Sequence, residues 1–410
     1  MLEAFFKTHD FLVEHAKYPI RRQLMDEIKW DNRMIAIKGA RGVGKTDFLL
    51  VRAKELDKME QIAREAHLAT SSHRSKSDDS RSCLYVNMND LYFAEHSLVE
   101  FAGKFVKAGG QTLLLDNVFK IPNWSHELRK CYDRYHDLKI VFAASPVMPL
   151  EEDNRELSNV VDVYNLRGFS FREYLCLQTN RNFRSYSLEE ILHNHEIIAR
   201  EICELIHPMD YFRDYLNHGY YPSYRENSDF DSELLKTINT VLEVDVLIIR
   251  QIEVSLLPKL RKLLYQMLLQ TPCSLNISSV SEEIELSRAT TMNYIKYLKD
   301  ARLLNLLYQE GKQFPMKPSR IYTQNTNIIH LIHPDIEPQE MYEIYFYNVM
   351  HMSHKVNSTE RSAMFVVDGK YYFDVRAKAP DRESIRPTAI GDIEMGRGNA
   401  IPLWLLGFLY

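Results

Sequence analysis

The sequence predicts an α/β fold: a P-loop-type domain on a mainly parallel sheet, followed by a helical and winged-helix module and a small α+β domain. Three observations carry that expectation. Through the first third, short apolar runs alternate with helix-like stretches, the pattern of strands buried on both faces and joined by helical crossovers. One of those runs feeds a glycine-rich loop that opens a helix. Past Phe169 the character turns helical, and past Pro334 short runs rich in Tyr, Phe and Val read as a small sheet.

Taken in order, Met34 to Ile37 is the first strand and leads into Gly39. Thr46 to about Leu68 reads as a long helix, broken by the polar stretch Thr70 to Ser82, which reads as a surface loop. Cys83 to Val86 is the second strand. Ser97 to Lys107 has helical spacing, Gly109 and Gly110 mark a turn, and Thr112 to Leu115 is a third strand ending in Asp116. Ile140 to Ala144 is the fourth. Ser187 to Ile206 reads as a helix capped by Ser187, with Glu189 and Glu190 in its first turn. Ala363 to Val367 and Tyr371 to Val375 are late strands, and the apolar Ile401 to Tyr410 is a buried strand or helix end. The expected domains are 1–175, built on the parallel sheet and its glycine-rich loop; 176–250, a helical lid or linker; 251–330, a winged helix; and 331–410, an α+β domain.

Composition narrows the class. The chain has 410 residues, 45% hydrophobic and 26% charged, ordinary values for a globular protein. A net charge of −5 argues against coating nucleic acid with the whole surface, so any such contact is confined to one module. The five cysteines show no C-x-x-C spacing, which fits a reducing compartment and speaks against a structural zinc. Charged residues interrupt the stretch Met1 to Lys17, so it lacks the apolar core of a signal peptide, and no run reaches the roughly 18 apolar residues of a membrane span. The expectation is a cytoplasmic protein.

The chemistry centres on Gly39-Ala40-Arg41-Gly42-Val43-Gly44-Lys45-Thr46, which matches G-x-x-x-x-G-K-[ST] between a predicted strand and a predicted helix. Phosphates are multiply charged, so a loop that binds them must present several main-chain N–H groups at once. Glycines let it curl tightly enough to do so, and the helix N-terminus adds its dipole. Lys45 is expected on the β- and γ-phosphates of ATP, and Thr46 on Mg²⁺. Asp116, closing an apolar strand, is the expected second metal group.

Residues 1–175 resemble the ATPase module of prokaryotic AAA+-type ATPases that carry a C-terminal winged helix and a nuclease-like domain of unknown function. The resembling pieces are Gly39 to Thr46, Leu113 to Asp116, Ile121 to Trp124, Ile140 to Ser145, and Leu166 to Leu175. The resemblance implies ATP and Mg²⁺ as ligands and makes Ser145 a polar sensor of the γ-phosphate; a strand-end cap fits Ser145 equally. Two departures matter. Where the family has a water-polarising glutamate after the metal aspartate, this chain has Asn117, and an amide cannot accept a proton. Where the family tends to carry a glycine-arginine pair, this chain has Asn159-Val160; Arg155, Arg167 or Arg172 could substitute, but each reads more readily as a surface or structural arginine. The expectation is an ATP-binding switch with slow hydrolysis. In the last domain the resemblance points to Glu343, Asp374 and Glu394 as a nuclease acid set; Gly396 stands at the usual lysine position, and Arg376 and Lys378 lie near Asp374. A decayed scaffold is the simplest reading.

Val280 to Ile284, a turn at Glu285-Leu286-Ser287, and Arg288 to Leu304 read as helix, turn, helix. Ala289, Met292, Ile295 and Leu298 would form the buried face. Arg288, Thr290, Asn293, Lys296 and Lys299 lie opposite, where they fit either DNA or an ordinary solvated face; winged helices also bind proteins. Leu303 to Tyr308, the turn at Gly311, and Arg320 to Tyr322 would make the wing, with Lys312 and Lys317 adding charge. His193 with His195 is a poor metal pair; His351 with His354 has better spacing but no third ligand nearby and reads as exposed helix histidines; Tyr220, Tyr221 and Tyr224 suit a core or interface. Three functions stay open: an ATP-dependent switch, a DNA-binding module with structural nucleotide, and an ATP-gated nuclease.

Overall fold

The computed structural model describes residues 2–16, 20–70, 81–225, 229–249, 251–359, 364–382 and 384–410. The chain divides into two compact units: Met1–Ala40 with Gly44–Arg167, and Arg41–Val43 with Gly168–Tyr410. Most of the expected loop Thr70 to Ser82 lies outside the described residues.

The first unit is built on five parallel strands, β1 Met34–Lys38, β2 Cys83–Asn87, β3 Thr112–Asp116, β4 Lys139–Ala144 and β5 Asp162–Asn165, in the order β2-β3-β4-β1-β5. The first four are nearly all apolar, as strands covered on both faces must be, and Ile35, Ala36, Leu84, Leu113, Leu114, Leu115 and Phe142 are buried. The α/β class expected from the sequence therefore holds. β5 escaped sequence reading because it lies at the sheet edge; Asp162-Val163-Tyr164-Asn165 is half-exposed and shows no apolar run. The helices Lys45–Thr70, Leu98–Lys107 and Trp124–Arg134 connect the strands. Ser97 caps the second of these, its hydroxyl accepting from the Glu100 N–H at 3.1 Å.

A helix at Leu2–His15, not assigned from the sequence, also belongs to this unit. Phe5 stacks edge-on to Phe101 at 5.0 Å. His9 is wholly buried: its Nδ1 accepts from the Tyr85 N–H at 2.9 Å and its Nε2 meets Asp57 at 3.0 Å.

The second unit takes up the main chain from Gly168. Phe171 packs on Phe212 at 5.1 Å and Tyr215 at 5.3 Å, so burial of this ring ties the helix Phe171–Thr179 to the helical segment around Phe212 and Tyr215. Leu188–Cys203 carries a full capping box: the Glu190 N–H donates to Ser187 Oγ at 3.2 Å, and the Ser187 N–H to Glu190 Oε2 at 2.7 Å. Further helices, Pro208–Asp214 and Phe230–Thr240, continue as wider π-type turns over Tyr215–Gly219 and Val241–Ile248.

The region expected as a winged helix consists of the helices Leu257–Gln270, Ile277–Glu283 and Arg288–Asp300 and an antiparallel hairpin of β6 Leu304–Leu307 and β7 Arg320–Thr323. Cys273 bridges to Ile321 beside it. Two details differ from expectation. The third helix ends at Asp300, and Leu304 starts β6. Its buried stripe is Thr291, Tyr294, Ile295 and Leu298; Ala289 is exposed and Met292 only half-buried, because the three-residue spacing drifts around a 3.6-residue turn.

Beyond the helices Thr326–Ile332 and Pro338–His351 lie β8 Val356–Ser358, β9 Phe365–Val367, β10 Tyr371–Arg376, β11 Thr388–Ile390 and β12 Ala400–Pro402, in the order β12-β11-β10-β9-β8. Ala363, the expected start of β9, lies outside the described residues. The apolar tail becomes β12 and the buried helical turn Leu403–Phe408, with Trp404 fully covered. As a test of the first unit's two-sided core, Leu114→Ala should cost about 2–5 kcal/mol through the cavity it leaves. The readout is an unfolding temperature lowered by several degrees; an unmoved transition would mean that β3 is not packed on both faces.

Candidate phosphate-binding site

β1 sits between β4 and β5, and the loop at its C-terminal end opens beside the ends of β3 and β4, where open α/β sheets place their ligands. The Gly39 N–H donates to Ala144 O at 3.1 Å and fixes the loop's entry. Gly42 and Gly44 have φ of 81° and 88°, a backbone state that side-chain-bearing residues rarely adopt, so the loop can curl over the start of the Lys45–Thr70 helix. Lys45 folds back over it, with Nζ donating to Gly39 O at 2.7 Å and Ala40 O at 2.8 Å. Arg41, Gly42 and Val43 group with the second unit. There Arg41 forms a two-pronged pair with buried Asp245, at 3.0 and 3.1 Å.

Thr46 Oγ1 donates to Asp116 Oδ2 at 2.6 Å. The Tyr85 hydroxyl donates to the same oxygen at 3.1 Å, and the Asn117 N–H donates to Oδ1 at 2.8 Å. Asp116 is only 5% exposed, so these donors replace the water that a buried carboxylate would otherwise lose. Burial, and next the Asp116 charge, push the Tyr85 hydroxyl above its usual range, which keeps it protonated and a donor. A threonine hydroxyl and a carboxylate in contact at a helix N-terminus are hard oxygen donors suited to magnesium, an ion that completes its shell with phosphate and water. The residues present therefore fit that ion.

Ser145 follows β4; it is buried, and its hydroxyl has no hydrogen-bond partner among the described residues. Asn117 takes the left-handed conformation, φ 57°, and its Nδ2 donates to Asn87 Oδ1 at 3.2 Å. Asn87 lies opposite Asp116 in the strand register. Tyr85 and Asn87 were missed in the sequence. The available signal was a polar atom at alternate positions of a strand that is otherwise apolar, which puts both on one face.

Other sequence candidates scatter. Arg155 is exposed, and Arg172 is buried and bound to the carbonyls of Phe183 and Tyr410, each at 3.0 Å, so it holds chain segments together. The carbonyl of Arg167 accepts from Arg22 at 2.6 Å. On the helix Arg288–Asp300, Arg288 and Asn293 are exposed, but Lys296 pairs with Asp300 at 2.7 Å and Lys299 approaches it at 3.6 Å. That carboxylate reduces the positive charge of the face.

The nuclease acid set is not assembled. Glu343 is buried against Arg320 at 2.7 Å, burial raising its carboxyl above the usual range; Asp374 faces Arg386 at 3.8 Å; and Glu394 lies beyond β11, 3.6 Å from His207. Thr388, not Glu394, stands opposite Asp374 in the register. At Gly396 a Cβ would meet Ala400 O at 2.3 Å, so no lysine fits there. Among the described residues no three His, Cys, Asp or Glu are placed to hold a metal ion. Lys378 is exposed. His195 is buried on Gly398 O at 3.0 Å while His193 bonds its own helix, and half-buried His351 stacks on Tyr347 while His354 pairs with Asp368 at 2.7 Å. The hydroxyls of buried Tyr220 and Tyr221 accept from Gln324 and Asn325; the Tyr224 side chain lies outside the described residues.

Residues 31–175 match the family model of the AAA domain, which supports an ATP-binding, AAA-type P-loop module in this part of the chain. Residues 209–321 match a domain of unknown function. An uncharacterized protein of Methanocaldococcus jannaschii is 24% identical over 312 residues, 72% of this chain; the chain spans 61% of that relative's length. A solved structure of the Aeropyrum pernix ORC1 protein in complex with DNA is similar at 12% identity and a TM-score of 0.31, covering 74% of this chain and 87% of that one, a likeness too distant to bear on function. No helix among the described residues is long and apolar enough to cross a membrane.

Proposed function

We propose that the chain is an ATP-dependent switch: an AAA-type module that binds Mg-ATP at Gly39–Thr46 and turns it over slowly, with the region 257–323 as a winged-helix output. The observation that carries the reading is the 2.6 Å contact between Thr46 and Asp116 beneath a glycine loop, with an amide at Asn117 in the next position.

In this reading the N–H groups of Gly42 to Thr46 receive the β-phosphate, and Lys45 leaves the carbonyls of Gly39 and Ala40 to meet the β- and γ-oxygens. Ser145 turns its spare hydroxyl to the γ-phosphate. A magnesium ion held by Thr46 and Asp116 would neutralise charge on the phosphate tail. The Tyr85 hydroxyl and the Asn117 N–H hold the Asp116 carboxylate in its orientation. Asn117, paired with Asn87, can orient a water but cannot take its proton, so turnover lacks its general base. The nucleotide-bound state then persists, which is what a switch requires.

ATP should bind the full chain in a calorimetric titration with Mg²⁺, and Lys45→Ala should weaken it about tenfold or more, each tenfold being about 1.4 kcal/mol. A wild-type chain that binds neither ATP nor ADP would end the proposal. Asn117→Glu should raise the hydrolysis rate about 10²-fold by restoring a carboxylate base; brisk wild-type turnover that Lys45→Ala abolishes would overturn the slow cycle. For the output region, duplex DNA should bind with an affinity that falls as salt rises and that shifts with Mg-ATP, and Lys296→Glu with Lys299→Glu should weaken it. Binding that is undetectable or indifferent to salt would replace DNA with a protein partner.

A further inference from the structure

In the C-terminal part of the second unit, residues of β10 together with Pro380, Asp381, Arg382, Ser384, Ile385 and Arg386 line an open cavity of about 540 Å³. Three guanidinium groups line it, Arg376, Arg382 and Arg386, together with two carboxylates, Asp374 and Asp381. Asp374 and Arg376 are two apart on β10 and so share a face of the strand. Asp374 is already engaged: Oδ1 accepts from the Met364 N–H at 3.1 Å, and Oδ2 lies 3.8 Å from Arg386 Nε, both side chains being about four-fifths covered. Arg386 is thereby fixed in the wall. Arg376 and Arg382 line the cavity and are exposed, and neither side chain makes an ion pair among the described residues.

We propose that this cavity binds the phosphate monoester of a nucleotide. Guanidinium groups present paired N–H donors that match phosphate oxygens, and the two uncommitted ones answer the roughly −1.5 to −2 charge of a monoester near neutral pH. The remaining lining suits the body of the same ligand. Asp381 can accept from ribose hydroxyls, and Ile385, 87% exposed, offers an apolar face to a base. A volume of about 540 Å³ falls within the range of about 300–1,000 Å³ typical of small-molecule sites. The ligand is either a free mononucleotide or the phosphorylated end of a nucleic-acid strand, two sources of one chemistry.

The test uses the full chain carrying Lys45→Ala, so that the glycine loop contributes little, and follows a labelled single-stranded 12-mer by fluorescence anisotropy. A 5′-phosphate should tighten binding about tenfold over the same strand without it, and Arg376→Ala with Arg382→Ala should erase that preference while the unfolding temperature holds. Arg376→Lys in the Arg382→Ala background should restore part of it. Displacement of the phosphorylated strand by 5′-AMP at similar concentration assigns the free nucleotide; resistance to 5′-AMP assigns the strand end. Equal affinity for strands with and without the phosphate, or a preference that survives loss of both arginines, overturns the proposal.

Discussion

The first unit turns on one buried carboxylate. Asp116 is excluded from water and is tolerable there because the Thr46 hydroxyl, the Tyr85 hydroxyl and the Asn117 N–H all donate to it. Those donors come from the loop's helix, from β2 and from the turn after β3, so a single anion fixes three segments at the same edge of the sheet. An unpaired carboxylate in that place would be strongly destabilising, which makes the geometry of the site inseparable from the stability of the sheet.

How much of this was readable beforehand differs by residue and for physical reasons. The loop and Asp116 were legible because their chemistry is local: a tight curl needs glycines, and the carboxylate closes an unbroken apolar strand. Tyr85 and Asn87 were not, since their roles depend on which strand lies next to β3, and strand order is not written in periodicity. The edge strand Asp162–Asn165 was hidden because one-sided burial leaves no apolar run. Arg172, for which the sequence left both a catalytic and a structural role open, ties the carbonyls of Phe183 and Tyr410 together.

The second unit distributes charge in a comparable way. Where sequence alone suggested a row of cations on the helix Arg288–Asp300, Asp300 answers two of them; where it suggested converging acids, Glu343 and Asp374 each face an arginine. Neutralisation within the fold is the default for such groups. Arg376 and Arg382, whose guanidinium groups make no ion pair among the described residues, are therefore informative positions beside β10.

The wholly buried ring of His9 has a practical implication for cutting the chain. It joins the opening helix to the main chain of β2 at Tyr85 and to Asp57 on the helix after the glycine loop. A fragment trimmed to the homologous segment that starts at Asp31 would strip Tyr85 of its amide acceptor and lay open the aromatic surface beneath Phe5. Any recombinant piece meant to stand alone should begin upstream of that imidazole.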